Sequence, residues 1–303
     1  MPEGPAPLVL RFKSDWQVKK LKKQEGGTLS PQIIAWIAIG IASDAADILW
    51  ELHTGHRLPL AAEIVRALAL VPLAAFARGY LRGFVVTLIA FLSGNWLQRT
   101  VEQHWTWFQH GSISERMYFD AWLALIPSLC IALTLFSGDL TRRDIFLAIG
   151  KLNARVAGLG RIRWSIVAPA VILFMIVGLR EQLRFILGDV HVARHAGWAA
   201  ITALSLSFAV INAANEEFRF RFVLVARGKR AFGQRAVLWM TSINFGLAHW
   251  DGHPGGPTGV LATTLFAMLL CQSLYDTEGG LWAWLMHAAG DVIIFVVVLL
   301  RVG

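Results

Sequence analysis

The sequence predicts an all-α protein, a polytopic transmembrane helix bundle with about eight or nine spans. Of its 303 residues, 56% are hydrophobic and only 16% are charged, and the mean hydropathy is +0.55. This apolar fraction exceeds that of ordinary soluble domains. A transmembrane helix needs about 20 mostly apolar residues, and such stretches recur after residue 30. The predicted spans are 32–50, 60–77, 80–97, 119–137, 164–180, 197–218, 236–250, 258–275 and 281–301.

Basic residues cluster between these apolar stretches. Six lysines and arginines lie in the first 30 residues, and further clusters lie at 78–82, 142–163 and 219–235. If the spans alternate in direction, all of these clusters lie on one side of the membrane, which the positive-inside rule makes cytoplasmic. The net charge of +8 therefore indicates membrane loops and does not indicate nucleic-acid binding.

The same pattern divides the chain into three parts. We expect a basic cytoplasmic tail over residues 1–30, N-terminal transmembrane helices over 31–160, and a third part over 161–303 that carries the functional site. Residues 141–152 mix charged and apolar residues at helical spacing, which fits either a helix along the membrane surface or a plain connecting loop helix. Asp44 and Asp47, in the first span, have a candidate partner in Arg66.

Ionisable side chains inside the predicted spans are the main guide to function. Each costs on the order of 2.5 to 3.5 kcal/mol to insert, so those that occur tend to line a protein interior or a water-filled cavity. Three apolar segments near the C-terminus carry such polar groups: Asn215, Glu216, Glu217, Arg219 and Arg221 in the first, Asn244 and His249 in the second, and His287 and Asp291 in the third.

Helical spacing predicts how these groups are arranged. Glu217 and Arg221 are four residues apart, so they share a face and can form an ion pair. Glu216 points about 100° away from Glu217 and is left free to meet another helix. His287 and Asp291 also share a face. In such a site Glu216 can take a proton from water, one histidine can orient that water, and the other can donate to an oxyanion.

The three segments resemble the CAAX-protease and bacteriocin-processing family of intramembrane proteases. The motif E-E-x-x-x-R runs from Glu216 to Arg221, F-x-x-x-H from Phe245 to His249, and H-x-x-x-N/D from His287 to Asp291. The resemblance covers roughly residues 160–300. It implies that 161–303 is an intramembrane peptidase core, a glutamic-type endopeptidase that hydrolyses a membrane-tethered protein or peptide within the lipid bilayer.

The resemblance also implies roles for the matching residues. Glu216 and His249 would activate water, and His287 and Asp291 would form the oxyanion site. Arg221 would hold Glu217, with Phe245 in support and no metal or cofactor. Two positions depart from the family pattern: Phe222 stands where glycine commonly follows the arginine, and the last motif ends in Asp291 rather than asparagine. An ionised aspartate cannot donate a hydrogen bond, so Asp291 is expected to orient His287.

Two other functions stay open at this stage. Glu216, His249 and His287 are also a ligand set for a zinc-dependent protease, although the H-E-x-x-H signature is absent. A non-catalytic membrane scaffold or bacteriocin-immunity protein is the other alternative. The location expected for the chain is a prokaryotic plasma membrane with the N-terminus in the cytoplasm, because no eukaryotic targeting signature is present.

The predicted boundaries contain one conflict. His249 lies about 14 residues, or roughly 20 Å of helix, beyond Arg235. Glu216 and His287, in contrast, are expected nearer the cytoplasmic side. Residues that react together must lie at similar depth, so the helix before His249 must begin outside the bilayer, or its predicted boundary is wrong.

Overall fold

A computed structural model describes residues 30–138, 140–187, 197–252 and 255–302, and these residues fold into helices. The predicted fold class is confirmed at this level. Across the described residues there is no strand, and Arg155 and Arg163 form one isolated bridge. The predicted tail lies almost entirely outside the described residues. The helices are α1 Pro31–Ala42, α2 Ala45–Thr54, α3 Leu60–Phe76, α4 Gly79–His104, α5 Thr106–His110, α6 Ile113–Leu123, α7 Leu125–Leu133, α8 Trp164–Leu187, α9 Trp198–Glu216, α10 Leu224–Phe232, α11 Gln234–Leu247, α12 Gly256–Thr277 and α13 Leu281–Val302.

Fewer helices than predicted can cross a membrane. In the described part of the chain, five helical segments are long and apolar enough, or six if the bent pair α1 and α2 counts as one span. The prediction of eight or nine spans is not confirmed. Helix α3 has 17 residues and carries Glu63 and Arg66, and α11 has only 14 residues. Both are shorter than the roughly 20 residues that a span needs.

The helix that carries the glutamates differs most from the prediction. A span ending at residue 218 and a loop over 219–235 were expected. Instead, α9, a π-helical segment Glu217–Val223 and α10 form one continuous helix of 35 residues. Arg219, Arg221 and Arg227 are buried in the protein, so they do not end the helix as solvated loop residues would. At 1.5 Å per residue the helix is about 50 Å long, which exceeds the roughly 30 Å hydrocarbon core.

A tight turn at Gly233 sends the chain back along α10. Gly233 has a φ of 94°, which favours glycine. A Cβ atom on Gly228 would lie 2.5 Å from Val237 Cγ2, so this glycine lets α10 and α11 approach closely. Glu216 lies 17 residues before the turn and His249 lies 16 residues after it. The two paths are about 25 and 24 Å long, so His249 returns to the depth of Glu216, which resolves the predicted conflict.

The N-terminal helices enclose a network of buried charges. Arg66 Nη1 lies 2.9 Å from Asp47 Oδ2 and 3.3 Å from Glu63 Oε2, so Arg66, the candidate partner, does pair with Asp47. Arg99 Nη1 lies 3.0 Å from Glu63 Oε1. Arg66 also donates to the backbone carbonyls of Ile41 and Ser43. These carbonyls lie at the end of α1, where helical hydrogen bonding stops, so the network stabilises the bend between α1 and α2.

The connection between α7 and α8 packs beneath the last two helices. Residues 141–152 form turns, so neither of the two helices expected for this segment is present. Lys151 N donates to Thr277 O at 2.6 Å, and Gly280 N donates to Ala148 O at 2.9 Å. The connection is thereby attached to the turn that leads into α13.

Candidate functional site

Glu216 and Glu217 lie where α9 passes into the π-helical segment. Short π-helical stretches are rare and frequently occur at functional sites, because the extra residue in the turn changes the direction of the side chains that follow. Here both carboxylates reach the same histidine, His287 of α13. On an ideal α-helix the side chains of the two glutamates would point about 100° apart, as the sequence analysis predicted.

Glu217 is the fully buried member of the pair. Its Oε1 accepts a hydrogen bond from Arg221 Nη1 at 2.5 Å, and it lies 2.6 Å from His287 Nδ1. The side chains of Glu217 and Arg221 are 0% and 1% exposed. The predicted ion pair is therefore confirmed. The guanidinium carbon of Arg221 also lies 4.1 Å from the ring centre of Phe245, a cation–π contact that strengthens when it is desolvated.

Glu216 is the more accessible glutamate, with 16% of its side chain exposed. Its Oε2 lies 3.4 Å from His287 Nε2. Its Oε1 accepts a hydrogen bond from Asn212 Nδ2 at 3.3 Å. Arg219, three residues later, is buried and donates to the backbone carbonyl of Asn215 at 3.3 Å. Each carboxylate oxygen of Glu216 therefore has a polar neighbour, and part of the side chain remains exposed.

His287 lies at the centre of the cluster. Its Nδ1 faces Glu217, while its Nε2 faces Glu216 and, at 3.8 Å, Asp291 Oδ1. Three carboxylates thus surround one imidazole ring. Opposite charges stabilise a protonated imidazole, and Nε2–H is a donor when the ring is protonated.

His249 lies in the turn that follows α11. Its Nδ1 is 2.8 Å from the carbonyl oxygen of Phe245, so this nitrogen carries the proton if the bond forms, and Nε2 is then an acceptor. The ring centres of His249 and Phe245 are 4.3 Å apart, and that of His287 lies 5.7 Å from Phe245 on an edge-on ring contact. Phe245 therefore contacts both histidines. The chain brings together every residue that the three motifs singled out.

Asn212 is a site residue that the sequence reasoning missed. Its Nδ2 donates to Glu216 and, at 3.1 Å, to Asp291 Oδ2. The available signal was its position four residues before Glu216, on the same helix face. The amide hydrogens of Asn212 bridge two carboxylates that would otherwise repel each other.

The N-terminal helices form hydrogen bonds to the helix that carries Glu216. Asn215, next to Glu216 in sequence, donates to the backbone carbonyl of Ala121 in α6 at 2.9 Å. Its side-chain oxygen accepts from Ser128 of α7, also at 2.9 Å. These bonds connect the helices before residue 160 to the glutamate helix and fix the rotation of α9 at its functional end.

Several buried polar atoms of the cluster have no hydrogen-bond partner among the described protein groups. They are Glu216 Oε2, Glu217 Oε2, Arg221 Nε and Arg221 Nη2. Buried polar groups are nearly always satisfied by protein or ordered water, so these atoms mark a place for water or a substrate group. No set of three His, Cys, Asp or Glu side chains in the described ranges has an arrangement that could hold a metal ion.

Comparison with protein families agrees with the motifs. Residues 196–293 match the family model described as type II CAAX prenyl endopeptidase Rce1-like. The match covers about a third of the chain and includes all three motifs. The predicted family resemblance is confirmed over this segment, and the chain is a multi-pass membrane protein that is similar to CAAX proteases over residues 196–293. No curated protein and no solved structure matches the chain significantly.

Proposed function

We propose that this Rce1-like domain is a glutamic-type intramembrane endopeptidase that cleaves a membrane-anchored or transmembrane protein or peptide. The single observation that supports it most is the convergence of Glu216, Glu217, Asp291 and His287 at contact distances. In the proposal Glu216 is the general base, His249 orients the water, and His287 stabilises the oxyanion.

The base is assigned to Glu216 rather than Glu217 because of their partners. Glu217 is fully buried and bonded to Arg221 and His287, so it has little capacity to accept another proton. The side chain of Glu216 is 16% exposed, whereas that of Glu217 is 0% exposed. His249 Nε2, free as an acceptor when Nδ1 bonds Phe245 O, can hold the second hydrogen of the water.

The proposed reaction transfers one proton twice. Glu216 takes a proton from water, and the water oxygen bonds to the peptide carbonyl carbon. The carbonyl oxygen becomes an oxyanion, which accepts a hydrogen bond from His287 Nε2–H. The carbon–nitrogen bond then breaks as Glu216 returns its proton to the leaving amine. Glu217 holds the opposite nitrogen of His287, and Asp291, fixed by Asn212, orients the ring from the other side.

We also propose an orientation for the chain. Arg142, Arg143, Lys151, Lys229 and Arg230 lie at the end of the bundle formed by the 140–163 connection and α10. The positive-inside rule makes this end cytoplasmic, in a prokaryotic plasma membrane, with the N-terminus on the same side. The substrate is a membrane-tethered segment; whether it carries a prenyl group is decided by the products found in the experiment below.

The test compares the C-terminal peptides of membrane proteomes from cells that carry the natural chain or Glu216→Gln at matched expression. Glu51→Gln, the same substitution in α2, is the control. We expect one or a few membrane proteins to keep a longer C-terminus with Glu216→Gln only. If the three proteomes match at both termini while deletion of the gene has a phenotype, the protease assignment fails and the scaffold or immunity alternative replaces it.

A further inference from the structure

A cavity of about 660 Å³ with four basic residues in its wall, the basic cavity, lies where the 140–163 connection, α10 and the turn between α12 and α13 meet. Neither the glutamates nor the histidines of the Glu216 site line it. Six of its eleven lining residues are charged. Its charged lining residues are Arg143, Asp144, Lys151, Lys229, Arg230 and Glu278.

The carboxylates of this basic cavity are already paired. Asp144 forms an ion pair with Arg230, and Glu278 Oε1 lies 2.8 Å from Lys151 Nζ. Hydrogen bonds from Thr141 hold the pKa of Asp144 below its usual range. The hydrogen bond from Lys151 likewise lowers the pKa of Glu278. Both carboxylates are therefore ionised at neutral pH, and four cations against two anions leave the basic cavity with a surplus of two positive charges.

The surplus charge belongs to Lys229 and Arg143. Lys229 Nζ lies 5.3 Å from the ring centre of Tyr275 and 6.0 Å from that of Phe146, and these rings hold it at the wall. Neither Lys229 nor Arg143 forms an ion pair with a carboxylate of the described chain. Two exposed cations without an ion-paired carboxylate in a concave site attract an anion.

The surroundings of the basic cavity are those of a membrane interface. Leu147 and Ile149, on the same connection, are 48% and 65% exposed. They lie beside Arg142 and Arg143 in sequence, and the cavity borders the end of α12, a candidate span. Exposed apolar side chains next to cations are typical of segments that lie at the level of lipid headgroups.

We propose that the basic cavity binds the phosphate-bearing headgroup of an anionic phospholipid, with Lys229 and Arg143 contacting the phosphate. The cavity joins α10, which continues the helix of Glu216, to the turn that leads into α13 and His287. A bound headgroup therefore connects the two elements that carry the catalytic cluster.

The test measures lipid binding by the purified full-length chain. Phosphatidylglycerol or phosphatidylcholine is titrated into the protein in detergent, and bound lipid is counted by native mass spectrometry. We expect phosphatidylglycerol to bind preferentially, and Lys229→Gln and Arg143→Gln each to weaken it about five-fold. Arg142→Gln removes the same charge from the neighbouring residue, which does not line the cavity, and is expected to leave the affinity unchanged. Lys229→Arg keeps the charge and the ring contact and is expected to retain binding.

Three results would overturn the proposal. Equal weakening by Arg142→Gln, Arg143→Gln and Lys229→Gln means diffuse attraction to the basic surface without a site. Equal binding of the two lipids means that the headgroup charge is not recognised. If inorganic phosphate at millimolar concentration displaces phosphatidylglycerol completely, the anion site serves a soluble phosphate and the lipid assignment fails. Since none of these readouts uses proteolysis, they are independent of the proposed activity.

Discussion

Two clusters of buried carboxylates and arginines lie in opposite halves of the chain, and they differ in how their charges are balanced. In the N-terminal cluster, Asp47 and Glu63 meet Arg66 and Arg99. The members that form ion pairs are two carboxylates and two arginines, and the arginines also donate to backbone carbonyls of neighbouring turns. Such a cluster satisfies its own members and ties helix ends together.

The C-terminal cluster has a surplus of anions. Glu216, Glu217 and Asp291 converge on His287, and of the described arginines only Arg221 forms an ion pair with them. Four polar atoms of Glu216, Glu217 and Arg221 lack a protein partner. Unbalanced buried charge is costly, and it tends to persist where function requires it. The balance of charge therefore distinguishes the N-terminal cluster from the proposed active site, although the residue types are the same.

The largest expected effect is that of Glu216→Gln on cleavage. Loss of a general base typically lowers the rate by 10²- to 10⁴-fold, and we expect about 10³-fold here. Thermal stability should stay the same or rise, because one negative charge leaves an anionic cluster. Cleavage of the substrate identified by proteomics and a melting curve in detergent measure both quantities. A folded variant that cleaves at the natural rate would remove Glu216 from the mechanism.

Glu63→Gln is expected to show the opposite behaviour. It leaves Arg66 and Arg99 buried with too little negative charge, which should destabilise the protein by about 3 kcal/mol. Cleavage per folded molecule should change by less than about two-fold. Denaturation in detergent and activity normalised to folded protein test this pair of expectations. A stable Glu63→Gln protein with impaired cleavage would break the comparison between the two clusters.

Asn212→Leu is expected to have an intermediate effect. Without the bridging amide, Glu216 and Asp291 repel each other beside His287, so cleavage should fall about 10-fold, as is usual when a supporting group is lost. The pH profile should change along with the rate, because the carboxylates lose a common donor. Thr202→Ala, which removes only a hydroxyl bonded to its own helix, is the control. Unchanged pH dependence would make Asn212 a purely structural residue.

The smallest expected effect is that of chelators. If the water is activated by Glu216 and His249 without a metal, EDTA and phenanthroline should alter cleavage by less than about two-fold. Reversible loss of activity, restored by zinc, would instead support the zinc-dependent alternative, in which Glu216, His249 and His287 are ligands.

The sequence predicted the helical class and the residues of the site because both depend on local patterns. Apolar stretches of span length identify helices, and spacing of four residues identified the Glu217–Arg221 pair. The predicted end of the glutamate helix was wrong, because arginines such as Arg219, Arg221 and Arg227 are typical of loops between spans. Only the fold shows that the first donates to Asn215, the second meets Glu217, and the third donates to the carbonyl of Thr134.

Other features had no local signal. The π-helical segment 217–223 depends on packing around Glu217 and Arg221, so spacing on an ideal α-helix could not show that both glutamates reach His287. The predicted number of spans is not confirmed, because α3 and α11 are apolar enough to resemble spans but are shorter than the roughly 20 residues that a span needs. Asn212 has an ordinary amide on an apolar helix, and its role depends on a carboxylate 79 residues away.

The π-helical segment also determines the relative directions in which Glu216 and Lys229 point from their common helix. It lies between Glu216 and the part of α10 that carries Lys229, within one continuous helix. Each residue accommodated as a π-helical insertion shifts everything that follows by about 100° relative to an α-helix. If this stretch reverted to α-helical geometry, Glu216 and Lys229 could no longer face His287 and the basic cavity at once. A single deletion within 218–223 would remove the extra residue, so the segment could become α-helical while Glu216 and Lys229 keep their present relative directions.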